Sequence, residues 1–307
     1  MRYGFVVMLL CLLSACVFHK TNESMQSTTM IRHYHLPAVQ AVTVLGATDL
    51  ELHTGSRATE ISIRAPQATL DQIEVRIRHG RLLVMIPNSK VRGISVSITV
   101  PRLNALTYNG VGMVRATNIR APNLILDVSN TGNTEISGNI GLRKVVQHRG
   151  VMQVHGIDSR HLDVKVSASG RLELVGRIQL ASMDLSEDSF LSMYWVKGNT
   201  LRVRGKGNTT IQLAGVTKML DVELWDKARF NGRYLRAHEA YVKTHNNAIA
   251  EMSAIKRQHT LASDASDIYF YNVPPIKTDF MAFNGVVLDL RQWTKFVSRD
   301  VYTEYNR

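Results

Sequence analysis

Leu162-Asp163-Val164-Lys165-Val166-Ser167-Ala168-Ser169-Gly170-Arg171-Leu172-Glu173-Leu174-Val175-Gly176 is the stretch that decides the fold. Apolar and polar residues alternate through two short runs, a small-residue turn separates the runs, and glycine closes the second. The opening phrase recurs as Leu126-Asp127-Val128, Met183-Asp184-Leu185 and Leu220-Asp221-Val222. Degenerate copies, Val145-Val146-Gln147, Leu201-Arg202-Val203 and Ala240-Tyr241-Val242, fill the gaps. Gly112, Gly132, Gly150, Gly170, Ser189, Asn208, Ala228, Asn247 and Asp267 fall between the two runs of successive copies, at steps of 18 to 20 residues. A second turn column follows: Gly138, Gly156, Gly176, Gly198, Gly215 and Gly232.

Two turn columns on one period describe a closed coil, repeated. Each coil is too short to bury its apolar side chains alone, so coils must stack around a shared interior. The period is too short for a propeller blade, and helical periodicity is absent. The expectation is an all-β chain, a right-handed parallel β-solenoid (β-helix) with coils of about 20 residues over residues 106–290.

Outside the repeats, residues 37–105 alternate with period two and form a lead-in of strands and a hairpin. Ile73 to Ile77 turns at His79-Gly80 and returns as Leu82 to Ile86, and Ile94 to Val100 is a clean strand that Pro101 ends. Residues 291–307 carry Arg291, Lys295, Arg299 and Arg307 among Trp293, Phe296, Tyr302 and Tyr305, and are expected to cap the open end.

The alternating strand ending in Pro101, followed by Leu106-Thr107-Tyr108-Asn109-Gly110-Val111-Gly112 and glycine-punctuated repeats, resembles the putative auto-transporter adhesin head family, the GIN domain. The resemblance spans about residues 37–290. It implies a repetitive β body and an adhesion-type role, and it brings no catalytic residues with it. After Gly176 many repeat glycines give way to bulkier residues.

The beginning of the chain reads as an export signal. Arg2 precedes the ten-residue apolar run Gly4 to Leu13, too short to span a bilayer, and Leu13-Ser14-Ala15-Cys16 resembles a lipobox. Residues 1–15 are then a signal peptide, Cys16 the acylated anchor, and residues 16–36 a polar tether. Val17, where an inner-membrane protein of this class would carry Asp, points to the outer membrane. Loss of Arg2 takes the formal charge from +12 to +11, which favours membrane, glycan or other anionic envelope polymers as partners. A concentrated basic run and a recognition helix are lacking, so nucleic acid is not expected. Cys11 and Cys16 supply no disulfide framework.

In an in-register stack, Asp127, Asp163, Asp184 and Asp221 would form one outward column, with Arg202 between the last two. Stacked carboxylates repel unless paired, and Lys165, Arg202, Arg204 and Lys243 are near enough in register to pair them. Tyr194, Trp195 and Trp225 begin an aromatic-rich second half, and aromatics on an open face stack on sugar rings. His33 and His35 lack a third ligand, the turn histidines match no metal spacing, and no serine has a recognisable base partner; neither a cofactor nor a metal is expected. The reading is a non-enzymatic, outer-membrane-anchored solenoid with a binding face, serving adhesion or envelope organisation. The alternatives are a polysaccharide-active enzyme using the acidic column and a purely structural envelope protein.

Overall fold

The computed structural model describes residues 29–87, 93–179, 181–272 and 274–290. Cys16 with its lipobox, and the expected cap at 291–307, lie outside the described residues. Strands dominate, and parallel coils stack into a β-solenoid of about nine turns. Among the described residues a single helical turn, Gln67–Leu70, interrupts them.

The strand Leu162–Val166 shows how the stack is made. It pairs in parallel with residues 144–147 before it and Ala181–Glu187 after it. Leu162, Val164 and Val166 are buried while Asp163 and Lys165 point out, as a period of two requires. The same happens coil after coil, and the buried side chains from Val39 to Phe270 form one continuous core.

Each coil bends where the alternation breaks. In Thr210–Leu224, Ile211 and Leu213 are buried, and the chain turns a corner at residues 214–216. After buried Thr217, Lys218 and Met219 both face outward, which makes a second corner, and Leu220, Val222 and Leu224 then return to the core. A tight turn leads into Arg229–Thr244. A coil of this kind therefore offers two broad sides joined by a short side of about five residues.

The solenoid starts earlier than the sequence suggests. Ala41–Leu45 pairs in parallel with Ala105–Gly110, and Asp49–Thr54 pairs with residues 114–116. Residues 41–54 are thus a first coil, and residues 55–104 are an insertion folded beside it. The expected hairpin is present, with Glu74–Arg78 antiparallel to Arg81–Met85. Thr29–Leu36, expected within the polar tether, is instead a strand antiparallel to Thr59–Pro66, which in turn pairs with Ser95–Val100. Tyr34 and Leu36 supply the apolar contact that holds it against the core. These added strands cover the open edge of the first coil.

The turn column is also displaced by one residue in places. Thr209, Ala248 and Ser266 are the buried members, not Asn208, Asn247 and Asp267. At the other end, Ile276–Phe283 and Val286–Asp289 form the last described coil. Among the described residues no helix is long and apolar enough to cross a membrane.

Candidate binding faces

The expected acidic column splits in two. Asp163 is in register with Lys144 and Ser182, Ser182 with Arg202, and Arg202 with Asp221. Asp127 belongs to the same outward row, beside Thr107. Asp184 does not. It stands next to Lys165 and Arg204, one outward position along, in a row continued by Glu223 and Lys243. The two rows run side by side on one broad side of the stack.

Charges in these rows are interleaved rather than grouped by sign. Arg204 donates to both carboxylate oxygens of Asp221, at 3.2 and 3.1 Å, and its Nε is 3.1 Å from Glu223. Arg202 Nε lies 3.4 Å from Asp221. Asp163 accepts a hydrogen bond from Ser182 and sits 3.6 Å from His161. Asp127 and Asp184 are exposed. Asp184, Arg204, Lys206 and Trp225 line a shallow, open depression. Among the described residues no three acidic, histidine or cysteine side chains are placed to hold a metal ion.

Two serines do meet a histidine, against expectation. His148 Nδ1 lies 2.9 Å from Ser167 Oγ, and His245 Nδ1 lies 2.8 Å from Ser263 Oγ. Each contact joins neighbouring coils and follows the stacking axis. Ser263 Oγ also reaches the Thr244 carbonyl, at 3.4 Å.

The aromatics divide into stacked and free-standing rings. Trp225 lies nearly parallel to His245 at 5.8 Å, and Tyr241 to His259 at 4.4 Å. Rings stacked along the axis spend their faces on each other and present edges to a ligand. On the other broad side the Arg233 guanidinium sits 4.4 Å from the Tyr271 ring centroid and 3.5 Å from Glu251. Burial, then the Glu251 charge, pushes the Tyr271 hydroxyl up to about 12. This knot escaped the sequence reading because its members are about 20 residues apart and follow no shared phrase.

Trp195 is different. It is 61% exposed and holds a left-handed backbone, φ +66°. It occupies the corner that glycine takes in neighbouring coils, Gly176 and Gly215, whereas Gly198, expected there, lies past the corner and stacks on Gln179. Tyr194, half-buried, precedes it, so these two lie away from the acidic rows. The expected ligand residues therefore occupy two surfaces: Asp127, Asp163, Asp184, Arg202, Asp221 and Trp225 on one broad side, Tyr194 and Trp195 at a corner.

A family model described as "Putative auto-transporter adhesin, head GIN domain" matches residues 39–197, just over half of the 307 residues. No curated protein matches the chain. Among solved structures, a putative adhesin from Bacteroides fragilis is similar at 15% identity and TM-score 0.32, covering 85% of this chain and 96% of that one. A putative lipid binding protein from Parabacteroides distasonis is similar at 12% identity and TM-score 0.45, covering 86% and 97%. A putative adhesin from Parabacteroides merdae is similar at 13% identity and TM-score 0.45, covering 86% and 97%.

Proposed function

Since the chain belongs to the putative auto-transporter adhesin, head GIN domain family, we propose that it is a non-enzymatic adhesion protein of the bacterial envelope. Acylated Cys16 holds it to the outer membrane, and the sides of its coil stack meet the ligand. One observation carries this reading. The stack exposes long rows of charged, polar and aromatic side chains over successive coils, and a repeated surface of this kind suits an extended ligand. The polysaccharide-cleaving alternative lacks comparable support. Its acid would have to come from a single row, yet Asp184 stands outside that row and Asp221 is clamped by Arg202 and Arg204. A carboxylate held by two guanidinium groups is a poor proton donor.

The test joins the anchor to the activity. Radiolabelled palmitate should enter the wild-type chain and not the Cys16→Ala variant, and the wild type should fractionate with the outer membrane. Cells lacking the chain should attach poorly to glycan-coated surfaces, with attachment restored by the wild type and not by Cys16→Ala. Attachment unchanged by loss of the chain would sink the adhesion reading. An unlabelled wild type would sink the anchor.

A further inference from the structure

The short side of the coil carries a line of cations that the repeat phrase does not reveal. Arg143, Arg160, Arg177, Lys197, Lys218 and Arg236 are all exposed, one from each of six consecutive coils. The registers set them on successive coils without placing them directly opposite one another: Arg177 lies beside Asp158, and Val216 separates Lys197 from Arg236. The line continues to Arg120 at one end and Lys256 at the other, both exposed. With coils about 4.8 Å apart, eight cations run over about 34 Å. Residues 118–123, 138–143, 156–161, 176–179, 195–200, 215–219, 235–239 and 253–257 hold nine Lys and Arg against two acids, Asp158 and Glu239. That is +7 of the chain's formal +12. Both acids are already engaged, Asp158 with Arg177 at 2.6 Å and Glu239 with Arg257 at 4.0 Å. The broad side, by contrast, interleaves its charges.

Trp195 stands at the edge of this same line, two residues before Lys197 on the same coil and next to the coil of Arg177. Five of the ten non-glycine residues with positive φ among the described residues are Asn or Asp, which tolerate that backbone; Trp195 is the bulkiest of the ten. An aromatic held out at conformational cost, on a corner where neighbours use glycine, is the kind of strain that ligand sites retain. Val216 and Met219, 43% and 38% exposed, add apolar surface on the next coil.

We propose that this ridge binds a linear acidic polysaccharide, its carboxylates following the cation line and one sugar ring resting on Trp195. The proposal deepens the adhesion reading and rests on it. The geometry favours a polymer over a membrane because the cations form a narrow band, one to a coil, while the apolar contacts are confined to two adjacent coils; a bilayer surface would meet apolar side chains along the whole contact. A polyanion without sugar rings would leave Trp195 without a role.

Binding of the full chain to polygalacturonate tests it, with inorganic polyphosphate and phosphatidylglycerol vesicles as comparisons. The expected result is polygalacturonate binding that weakens at least tenfold between about 50 and 200 mM salt, since each ion contact releases counterions. The triple variant Arg160→Gln, Lys197→Gln, Lys218→Gln should bind at least tenfold more weakly with a flatter salt dependence. Trp195→Gly, which relieves the strained backbone, should melt no lower than wild type, yet bind polygalacturonate several-fold more weakly with the salt dependence unchanged. The pair Lys165→Gln, Lys243→Gln on the broad side should bind as wild type does. Absence of polygalacturonate binding at low salt would overturn the proposal. Polyphosphate bound as tightly, with Trp195→Gly silent, would overturn its sugar specificity; vesicles bound more tightly than the polymer would assign the ridge to a membrane. Attachment of cells that persists without polygalacturonate binding would refute the ridge and leave the adhesion reading standing.

Discussion

At the scale of single residues, Gln258 is most at odds with its surroundings. It follows Leu220 and Ala240 in an inward row and is fully buried. Among the described residues neither its amide oxygen nor its nitrogen has a hydrogen-bond partner. A buried amide in that state costs about 1–3 kcal/mol. Gln258→Leu, of similar size, is therefore expected to stabilise the fold by about 1 kcal/mol, seen as a higher urea midpoint at an unchanged slope. A lower midpoint would mean that the amide is paired. Tyr108 shows the satisfied counterpart: its hydroxyl, fully buried, donates to the Thr48 carbonyl at 2.7 Å. Burial pushes it from 10.0 up to about 12. The folded state thus disfavours the phenolate, so the stabilisation is complete below pH 10 and lost as pH rises toward 12. Tyr108→Phe should cost about 1 kcal/mol at neutral pH through the lost hydrogen bond. The gap between wild type and variant should then close above pH 10, as urea denaturation at stepped pH would record.

At the scale of elements, corners and register decide what the coils can be. Gly156 turns its corner at φ +78°, and a side chain there would run into the Gly138 carbonyl of the preceding coil. Gly156→Val is expected to cost about 3 kcal/mol or more, combining backbone strain with displacement of a neighbouring coil, and to lower the melting temperature accordingly. Corners of this kind were legible in the sequence, because glycine is conspicuous and its spacing matches the coil. Register was legible only in part. Leu162-Asp163-Val164-Lys165-Val166 offers the apolar-polar-apolar phrase twice, at Asp163 and at Lys165, and Asp184 stacks on the second. A slip of two residues keeps every side chain on its own face, so hydrophobic pattern cannot detect it; only a slip of one would bury the wrong set. The same blindness hid the first coil. Ala41–Leu45 alternates like its partner Ala105–Gly110, but the insertion between them removes the 20-residue period that would have tied them together. The basic ridge was obscured because its cations shift between two outward positions from coil to coil, so they share no phrase, although each follows a corner residue closely.

At the scale of the molecule, the stack is one-dimensional, and its first and last described coils differ in their surroundings. The first coil is covered on one edge by Arg81–Met85 and Ser95–Val100, which pair with it in parallel, and beyond them the antiparallel strands Glu74–Arg78 and Thr59–Pro66 break the parallel pattern and leave no matching edge. The last described coil has a neighbour on one side, residues 257–263 and Asp267–Phe270, and it leaves Ile276, Met281, Phe283, Val286 and Leu288 exposed. In a repeat stack, stability is a sum of coil terms and nearest-neighbour terms, so a coil whose large apolar side chains stand exposed opens before a coil whose side chains are buried in the core. Amide hydrogen exchange should therefore be graded along the axis. Peptides from residues 105–175 should be protected to near the global unfolding free energy, and peptides from 276–289 should exchange first, with 257–270 between them. Gly156→Val sharpens the test, because a broken interface at that coil should speed exchange on its C-terminal side while the covered first coil keeps its protection. Uniform protection from end to end, rising and falling together in the variant, would mean that the molecule unfolds as one unit and that nearest-neighbour coupling is too strong for its ends to matter.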